Sequence, residues 1–198
     1  MNQKIYAQIT DALVDNGYII IENGFSINST QKLFSFAQNE ALYKEALISR
    51  TSDAHIDKTK RSDKTLWLAE DDAVQSEYLA FMQGLQEYLN QSLYLGLKYY
   101  ESHFALYEEG SFYEKHLDSF KNSKSRVVTT VFYLNEAWYE NDGGELMLYD
   151  KSDTVLEKIS PTFGKLLIFL SEKYPHEVLM TKKKRYSIAG WFRVDEVL

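Results

Sequence analysis

The sequence has 198 residues, a formal net charge of −7, no cysteine and four histidines. Without cysteine, the chain cannot form a disulfide, a thiolate zinc site, an iron–sulfur cluster or a cysteine nucleophile. The acidic charge disfavours general nucleic-acid binding, which needs a basic face. This length predicts a single domain over 1–198, and any bound metal must take histidine and carboxylate ligands.

The first part of the chain, 1–96, has mainly helical periodicity. Apolar residues recur about every four positions, which is typical of amphipathic helices. The stretch Arg50–Lys64 is charged and without periodicity, and it is predicted to be a solvated loop. We predict helices over Lys4–Asp15, from a cap at Ser29 or Thr30 to Leu42, and over Val74–Leu95, and a short buried strand at Tyr18–Ile21.

From 97 to 195 the pattern changes to strands separated by turn signals. Several short strands without intervening helices indicate a sandwich or barrel. The predicted fold is therefore mainly β with α, with helices first and a β core after them. The predicted strands are Tyr99–Tyr107, Val127–Leu134, Glu145–Tyr149, Lys165–Leu170 and Arg185–Arg193.

The N-terminal residues and the apolar runs bear on location. The first residues lack the basic and apolar regions of a secretory signal. The longest purely apolar run, Leu166–Leu170, is far below the roughly 20 residues that span a bilayer. We therefore expect a cytoplasmic protein with no membrane partner.

Two histidines and one aspartate form the candidate metal site. In an extended segment, the side chains of His116 and Asp118 project from the same face. His176 follows a predicted strand, and two imidazoles with one carboxylate form the facial triad of non-haem Fe(II) oxygenases. Zinc could use the same three groups, although the helical His-Glu-x-x-His pair of hydrolytic zinc sites is absent. His55 is predicted to be a loop histidine and His103 a strand histidine.

An arginine lies on the same predicted face of the last strand as three other residues. Arg185, Ser187, Ala189 and Trp191 alternate along Arg185–Arg193. A guanidinium that faces a protein interior needs an anion. That anion could be a ligand carboxylate or one of the chain's own acidic groups, and the sequence leaves both possibilities open.

These positions resemble the Fe(II)- and 2-oxoglutarate-dependent dioxygenases, and in particular their prolyl-hydroxylase-domain branch, which is prolyl 4-hydroxylase-like. The resemblance covers about 107 to 194 in unbroken order. It rests on the segments Tyr107–His116, His116-x-Asp118, Val131–Asn135, Gly143–Leu146, Phe169–Ser171, Pro175–Val178 and Arg185–Ile188 with Trp191.

The resemblance implies a double-stranded β-helix (jelly roll) core, 97–195, supported by the N-terminal helices. It implies that His116, Asp118 and His176 bind the iron and are the catalytic centre. It also implies that Arg185 pairs with the distal carboxylate of 2-oxoglutarate and that Tyr133 donates a hydrogen bond to the same group. Further expected residues of the cosubstrate pocket are Tyr107, Ser187, Leu146 and Ile168.

The charged loop also resembles a feature of this branch. Arg61-Ser62-Asp63, followed by Trp67, is similar to the Arg-Gly-Asp…Trp segment of a substrate-covering loop, with serine in place of glycine. The resemblance implies that Arg61 and Asp63 contact the substrate. It implies the same of Arg126 and Trp191.

The implied function is hydroxylation of a prolyl residue in a cytosolic protein, with succinate and CO2 as coproducts. The implied cofactors are Fe(II), 2-oxoglutarate and O2, with ascorbate as a candidate reductant. The expected partner is a protein substrate with a target proline, translation machinery being one candidate, and no nucleic acid. The alternatives are a hydroxylase of a free amino acid or other small molecule, and a non-catalytic jelly-roll binding module.

Overall fold

The computed structural model describes residues 2–46, 57–69, 72–119 and 125–195, so His55 lies outside the described residues. Within these ranges the α-helices are α1 (Asn2–Asp15), α2 (Ile27–Ala37) and α3 (Ser76–Leu93). The strands are β1 (Tyr18–Ile21), β2 (Lys44–Glu45), β3 (Lys64–Trp67), β4 (Tyr99–Tyr107), β5 (Tyr113–His116), β6 (Arg126–Tyr133), β7 (Leu146–Tyr149), β8 (Val155–Ile159), β9 (Leu166–Leu170), β10 (His176–Val178) and β11 (Arg185–Arg193).

The strands form two antiparallel sheets. The larger has the order β1-β9-β6-β11-β4-β3-β2, and the smaller has the order β5-β10-β7-β8. The two longest strands, β4 and β11, pair along their whole length at the centre of the larger sheet. No helix within the described ranges is long and apolar enough to cross a bilayer.

The larger sheet has a core on each face. One face packs against the three helices, and the other packs against the smaller sheet. Side chains alternate between the two faces along β9, so that Leu167 and Phe169 face the smaller sheet while Leu166 and Ile168 face the helices. The prediction that Ile168 lines the cosubstrate pocket is therefore wrong, because its position in the alternation turns it to the opposite face.

The second helix begins and ends earlier than predicted. Its N-cap is Ser26, whose side chain accepts a hydrogen bond from the amide of Ser29. Ser29 and Thr30, the predicted caps, are buried inside the helix, which ends at Ala37. Ser26, Ser29 and Thr30 are all residue types that cap helices, so the sequence alone does not select among them.

The boundary between a helical first part and a β core is also less sharp than predicted. β1 pairs with β9, and β3 pairs with β4, so strands from the first part of the chain extend the larger sheet on both sides. As a terminal strand of that sheet, β1 is half-buried rather than buried. Local periodicity does not show such long-range pairing.

The helical layer is expected to contribute to stability. Leu89 on α3 is fully buried. We expect Leu89→Ala to lower the free energy of unfolding by about 2–5 kcal/mol, because it removes buried methyl groups and leaves a cavity. Urea denaturation followed by circular dichroism measures this. The control Val14→Ala, at an exposed position of α1, should change the free energy of unfolding by less than about 0.5 kcal/mol. A loss for Leu89→Ala as small as that of the control would contradict the expected contribution of α3.

Candidate metal centre and cosubstrate pocket

The three predicted metal ligands converge at one end of the smaller sheet. His116 on β5 and His176 on β10 are direct partners in the antiparallel register, and Asp118 follows β5 by two residues. Asp118 Oδ1 lies 3.7 Å from His116 Nε2, and Asp118 Oδ2 lies 3.4 Å from His176 Nε2. One donor atom from each residue lies within 4.8 Å of the others, which is close enough to share one ion.

Both imidazoles are oriented by backbone carbonyls. His116 Nδ1 lies 2.8 Å from the carbonyl oxygen of Glu114, and His176 Nδ1 lies 3.2 Å from that of Tyr174. Because a carbonyl can only accept, each Nδ1 carries the proton in a neutral ring. Each Nε2 is then left with a lone pair directed at the shared point.

The charge states suit a divalent cation. Burial and the neighbouring His176 lower the pKa of His116, so this imidazole is neutral at physiological pH. Burial favours a raised pKa for Asp118, but His176, His116 and Arg126 outweigh it, and the pKa of Asp118 is lowered. Two imidazole nitrogens and one carboxylate are the donor set that non-haem Fe(II) takes, so the residues fit the metal.

Arg185 lies in the same cavity as the triad, and one of its N–H donor groups is not used by the residues that the structure describes. Its side chain is almost completely buried; Nε donates to the carbonyl of Gly144 at 2.9 Å and NH1 to the hydroxyl of Ser187 at 3.2 Å. NH2 has no hydrogen-bond partner, and among the described residues no carboxylate lies within ion-pair distance of Arg185. Within the described part of the chain, Arg185 therefore has no structural salt bridge, which was one of the two possibilities left open by the sequence. A buried guanidinium in this state fits an anionic ligand.

Two tyrosines border the guanidinium. Arg185 Cζ lies 4.8 Å from the ring centre of Tyr107 and 5.2 Å from that of Tyr133. The Tyr133 hydroxyl is buried and makes no hydrogen bond of normal geometry, and burial raises its pKa to about 12, although the charge and the nearby N–H groups of Arg185 oppose the shift. Tyr133 thus keeps its proton and can donate it to an anion. NH2 of Arg185 and this hydroxyl are the two donors that a carboxylate would find here.

A glycine pair makes room for the arginine. Gly143 and Gly144 both have positive φ, at 70° and 69°, a conformation that side chains with a Cβ rarely adopt. A Cβ on Gly144 would lie 3.1 Å from Arg185 Cδ. The glycine therefore permits the close approach through which its carbonyl holds Arg185.

One cavity of about 700 Å³ connects these groups. The alternate residues of β11 line it, as the sequence predicts for Arg185, Ser187, Ala189 and Trp191. Tyr133 lies behind this lining, beside Arg185. The other predicted site residues in the cavity wall are His116, Asp118, His176, Tyr107, Leu146, Arg61, Asp63 and Arg126.

Arg61 and Asp63 form a buried pair. Arg61 Nε and NH2 donate to the two carboxylate oxygens of Asp63 at 2.7 and 2.6 Å, and the Asp63 side chain is fully buried. The Arg61 guanidinium also lies 4.4 Å from the ring centre of Tyr113, which stacks on His116 with ring centres 3.7 Å apart. The predicted substrate segment is thereby linked by stacking to a candidate metal ligand.

Ser62, which stands where the resembling family has glycine, helps to dock this segment. Its amide donates to the carbonyl of Phe112 at 3.2 Å, and its hydroxyl accepts from the amide of Phe112 at 3.1 Å. The serine side chain therefore adds a hydrogen bond that glycine could not make.

Arg126 and Trp191 form the opposite side of the cavity. The guanidinium of Arg126 stacks on Trp191, with Cζ 3.7 Å from the ring centre, and its NH2 donates to Glu101 at 3.1 Å. Its NH1 lies 3.9 Å from Asp118 Oδ1. The indole N–H of Trp191 is buried and makes no hydrogen bond of normal geometry, but it lies near enough to Asp118 to help lower the pKa of that carboxyl. The structure thus places both predicted substrate residues beside the metal ligands.

The sequence interpretation gave no role to three residues next to the triad. Tyr113 stacks on His116, and the hydroxyl of Thr129 contacts both Asp118 and Ser171. Thr129 lies four residues before Tyr133 on β6, so strand alternation from Tyr133 would have identified it as a polar residue on the cavity face. No comparable local signal exists for Ser171, which follows β9.

Comparisons with known proteins agree with this geometry. The family model described as the 2OG-Fe(II) oxygenase superfamily matches residues 102–193. Egl nine homolog 1 of Rattus norvegicus is 37% identical over 90 residues, which are 44% of this chain and 26% of that protein. The chain thus matches only about a quarter of the length of that curated relative.

Two solved structures are similar over nearly the whole chain. A prolyl-4-hydroxylase from Pseudomonas putida has a TM-score of 0.87 and 32% identity, covering 96% of this chain and 100% of that one. A prolyl hydroxylase from Trichoplax adhaerens, in complex with a hypoxia inducible factor oxygen degradation domain peptide fragment, has a TM-score of 0.86 and 27% identity, covering 97% and 90%. These likenesses confirm the predicted double-stranded β-helix core.

Proposed function

Because this chain belongs to the 2OG-Fe(II) oxygenase superfamily, we propose that it hydroxylates a prolyl residue of a protein substrate. Membership implies Fe(II), 2-oxoglutarate and O2 as cofactor and cosubstrates. The observation that carries the proposal is the single cavity in which the three candidate ligands lie beside Arg185, whose NH2 has no protein partner. The prolyl hydroxylases among the relatives and the similar structures support the choice of proline.

Each part of the cavity has a proposed task. His116, Asp118 and His176 would hold Fe(II), which when bound supplies the O2-dependent oxidative decarboxylation of 2-oxoglutarate to succinate and CO2 that drives hydroxylation. Arg185 neutralises the distal carboxylate of 2-oxoglutarate, and Tyr133 donates a hydrogen bond to it. Leu146 supplies an apolar wall that keeps water from this pair and so strengthens it.

The part of the cavity wall formed by the predicted substrate residues is proposed to bind a peptide segment of a protein. Arg61, Arg126 and Trp191 present two guanidinium planes and an indole next to the candidate metal centre. The structure from Trichoplax adhaerens is of a complex with a peptide fragment, and we extend to this chain only the class of ligand. The cytosolic location, the translation-machinery partner and the role of ascorbate stay predictions.

Two alternatives make different predictions. A hydroxylase of a small molecule would convert a free amino acid without needing Arg61 or Asp63. A non-catalytic jelly-roll module is disfavoured because the unpaired NH2 of Arg185 lies in the same cavity as three candidate metal ligands, an arrangement that a simple binding module does not need.

Anaerobic spectroscopy tests the enzyme. Fe(II) and 2-oxoglutarate added without O2 should give a weak visible charge-transfer band with the wild-type protein, and the band should be absent from Asp118→Ala. A wild-type protein without the band would overturn the proposal.

Mass spectrometry of the host proteome, with and without the gene, then seeks prolyl residues that gain the mass of one oxygen atom. A modified amino acid with no modified protein would favour the small-molecule alternative.

The Arg61–Asp63 pair is expected to affect substrate turnover selectively. Asp63→Asn keeps the side-chain shape but removes the charge that holds Arg61. We expect it to lower hydroxylation of the protein substrate about 10-fold or more, and to change 2-oxoglutarate decarboxylation without substrate by less than about 2-fold. The neighbouring Lys64→Gln, which removes a half-exposed ion pair with Glu108, serves as the control and should affect neither reaction. Equal damage to both reactions by Asp63→Asn would contradict the recognition role.

A further inference from the structure

The three candidate metal ligands are oriented by different kinds of hydrogen-bond partner. His116 and His176 each face a backbone carbonyl two residues earlier in the chain. Asp118 instead accepts a hydrogen bond from a side chain, the Thr129 hydroxyl, across a distance of 2.8 Å to Oδ2. A side-chain partner can be removed by one substitution without disturbing the backbone, so its contribution can be measured.

The Thr129 hydroxyl is itself one member of a buried pair. Its Oγ1 lies 2.8 Å from the hydroxyl of Ser171, and both residues are almost completely inaccessible to solvent. An ionised carboxylate can only accept, so the single proton of Thr129 goes to Asp118. Ser171 must then donate to Thr129. The hydrogen bonds therefore run in one direction, from Ser171 to Thr129 to Asp118.

Another group competes for the same carboxylate. Arg126 NH1 lies 3.9 Å from Asp118 Oδ1, on the side away from Thr129. The positive charge of Arg126 attracts the carboxylate, whereas the Thr129 hydrogen bond keeps Oδ2 within 3.4 Å of His176 Nε2. Without the hydroxyl, nothing would hold Oδ2 beside His176 Nε2 against the pull of Arg126 on Oδ1.

We propose that Thr129, supported by Ser171, is a positioning residue that fixes the Asp118 carboxylate for metal binding. The inference rests on the proposed function only in that the triad binds a divalent cation. It assigns a role in the metal site to β6, a strand that carries none of the three candidate ligands.

Mn(II) binding to the metal-free protein, followed by electron paramagnetic resonance of the free ion, tests this role without turnover. Thr129→Val has nearly the same volume but no hydroxyl, and we expect it to raise the Kd for Mn(II) about 10- to 100-fold. Thr129→Ser restores the donor and should return the Kd to within about 3-fold of wild type. Ser171→Ala, one step further from the ligand, should have a smaller effect than Thr129→Val.

The next residue on the strand supplies a matched control. Thr130 is equally buried, but it lies on the opposite face of β6, where its hydroxyl is 2.7 Å from that of Tyr100. Thr130→Val should leave the Kd for Mn(II) unchanged. A Thr129→Val protein with a Kd within 2-fold of wild type, or a Thr130→Val protein weakened equally, would overturn the proposal. The thermal unfolding temperature of each metal-free variant separates metal binding from folding.

The outcomes for the inference and for the proposed function are distinct. A wild-type protein that fails to bind Mn(II) would contradict the metal centre itself. A wild-type protein that binds Mn(II), with Asp118→Ala failing to bind and Thr129→Val binding normally, would reject only the role of Thr129.

Discussion

Asp118→Ala is expected to lower iron- and 2-oxoglutarate-dependent formation of succinate by at least about 10³-fold. The substitution removes the one anionic member of the triad and leaves only the two imidazoles. It also leaves the guanidinium of Arg126, 3.9 Å from the lost carboxylate, to repel a cation. Succinate released from 2-oxoglutarate in the presence of Fe(II) and O2 measures the effect, and His116→Ala should behave in the same way.

The control for this variant is another carboxylate on the same side of the molecule. Asp153 pairs with Lys115 and its side chain is largely exposed, so Asp153→Ala should leave succinate formation within about 2-fold of wild type. Thermal unfolding of the metal-free Asp118→Ala protein shows whether it is folded. A folded Asp118→Ala protein with full activity would eliminate the triad as the catalytic centre.

Long strands and the ligand motif could be predicted because their signals are local. β4 and β11 have the predicted bounds, since each is a nine-residue run that ends in turn or loop residues. On β11, alternation also predicts correctly that Arg185 and Trp191 share the cavity face. His116 and Asp118 are two residues apart, so their convergence needs only an extended chain.

Two of the short strands, β5 and β10, were not predicted, because they depend on their partners. They have only four and three residues, which is too few for a pattern of apolar residues to identify them. Both nevertheless carry metal ligands, because pairing with each other places His116 opposite His176. Such strands take their conformation from the sheet rather than from their own side chains.

Strand orientation and pairing explain why Ile168 was misplaced and why Thr129 and Ser171 were missed. Ile168 was assigned to the cosubstrate pocket, but the alternation of β9 turns Phe169 toward the smaller sheet and Ile168 toward the helices. Thr129 approaches Asp118 across 11 residues of chain and Ser171 across 42. Contacts between different strands depend on a register that periodicity along one strand does not contain.

Arg185 is the position where a change of side chain should separate cosubstrate binding from the chemical step. Arg185→Leu removes the charge, and we expect it to raise the KM for 2-oxoglutarate by about 100-fold, since each hydrogen bond to a charged group contributes roughly 1.5–3 kcal/mol. Arg185→Lys keeps the charge but loses the planar fork that holds the Gly144 carbonyl while presenting NH2 to a ligand. Its KM should rise by about 10-fold, with a smaller effect on kcat.

The order of the KM values of the two variants is the informative result, because it shows whether 2-oxoglutarate is held by the charge of Arg185 alone or also by the shape of its guanidinium group. If charge alone anchored 2-oxoglutarate, the lysine variant would bind as tightly as wild type, whereas a fork predicts an intermediate KM. Lys184→Gln is the control, since the adjacent lysine bonds Glu40 on the outer surface and should leave the KM unchanged. Thermal unfolding of both Arg185 variants checks the fold, because the replaced side chain is almost completely buried. A KM that stays at the wild-type value in both folded variants would place the cosubstrate anchor at another residue.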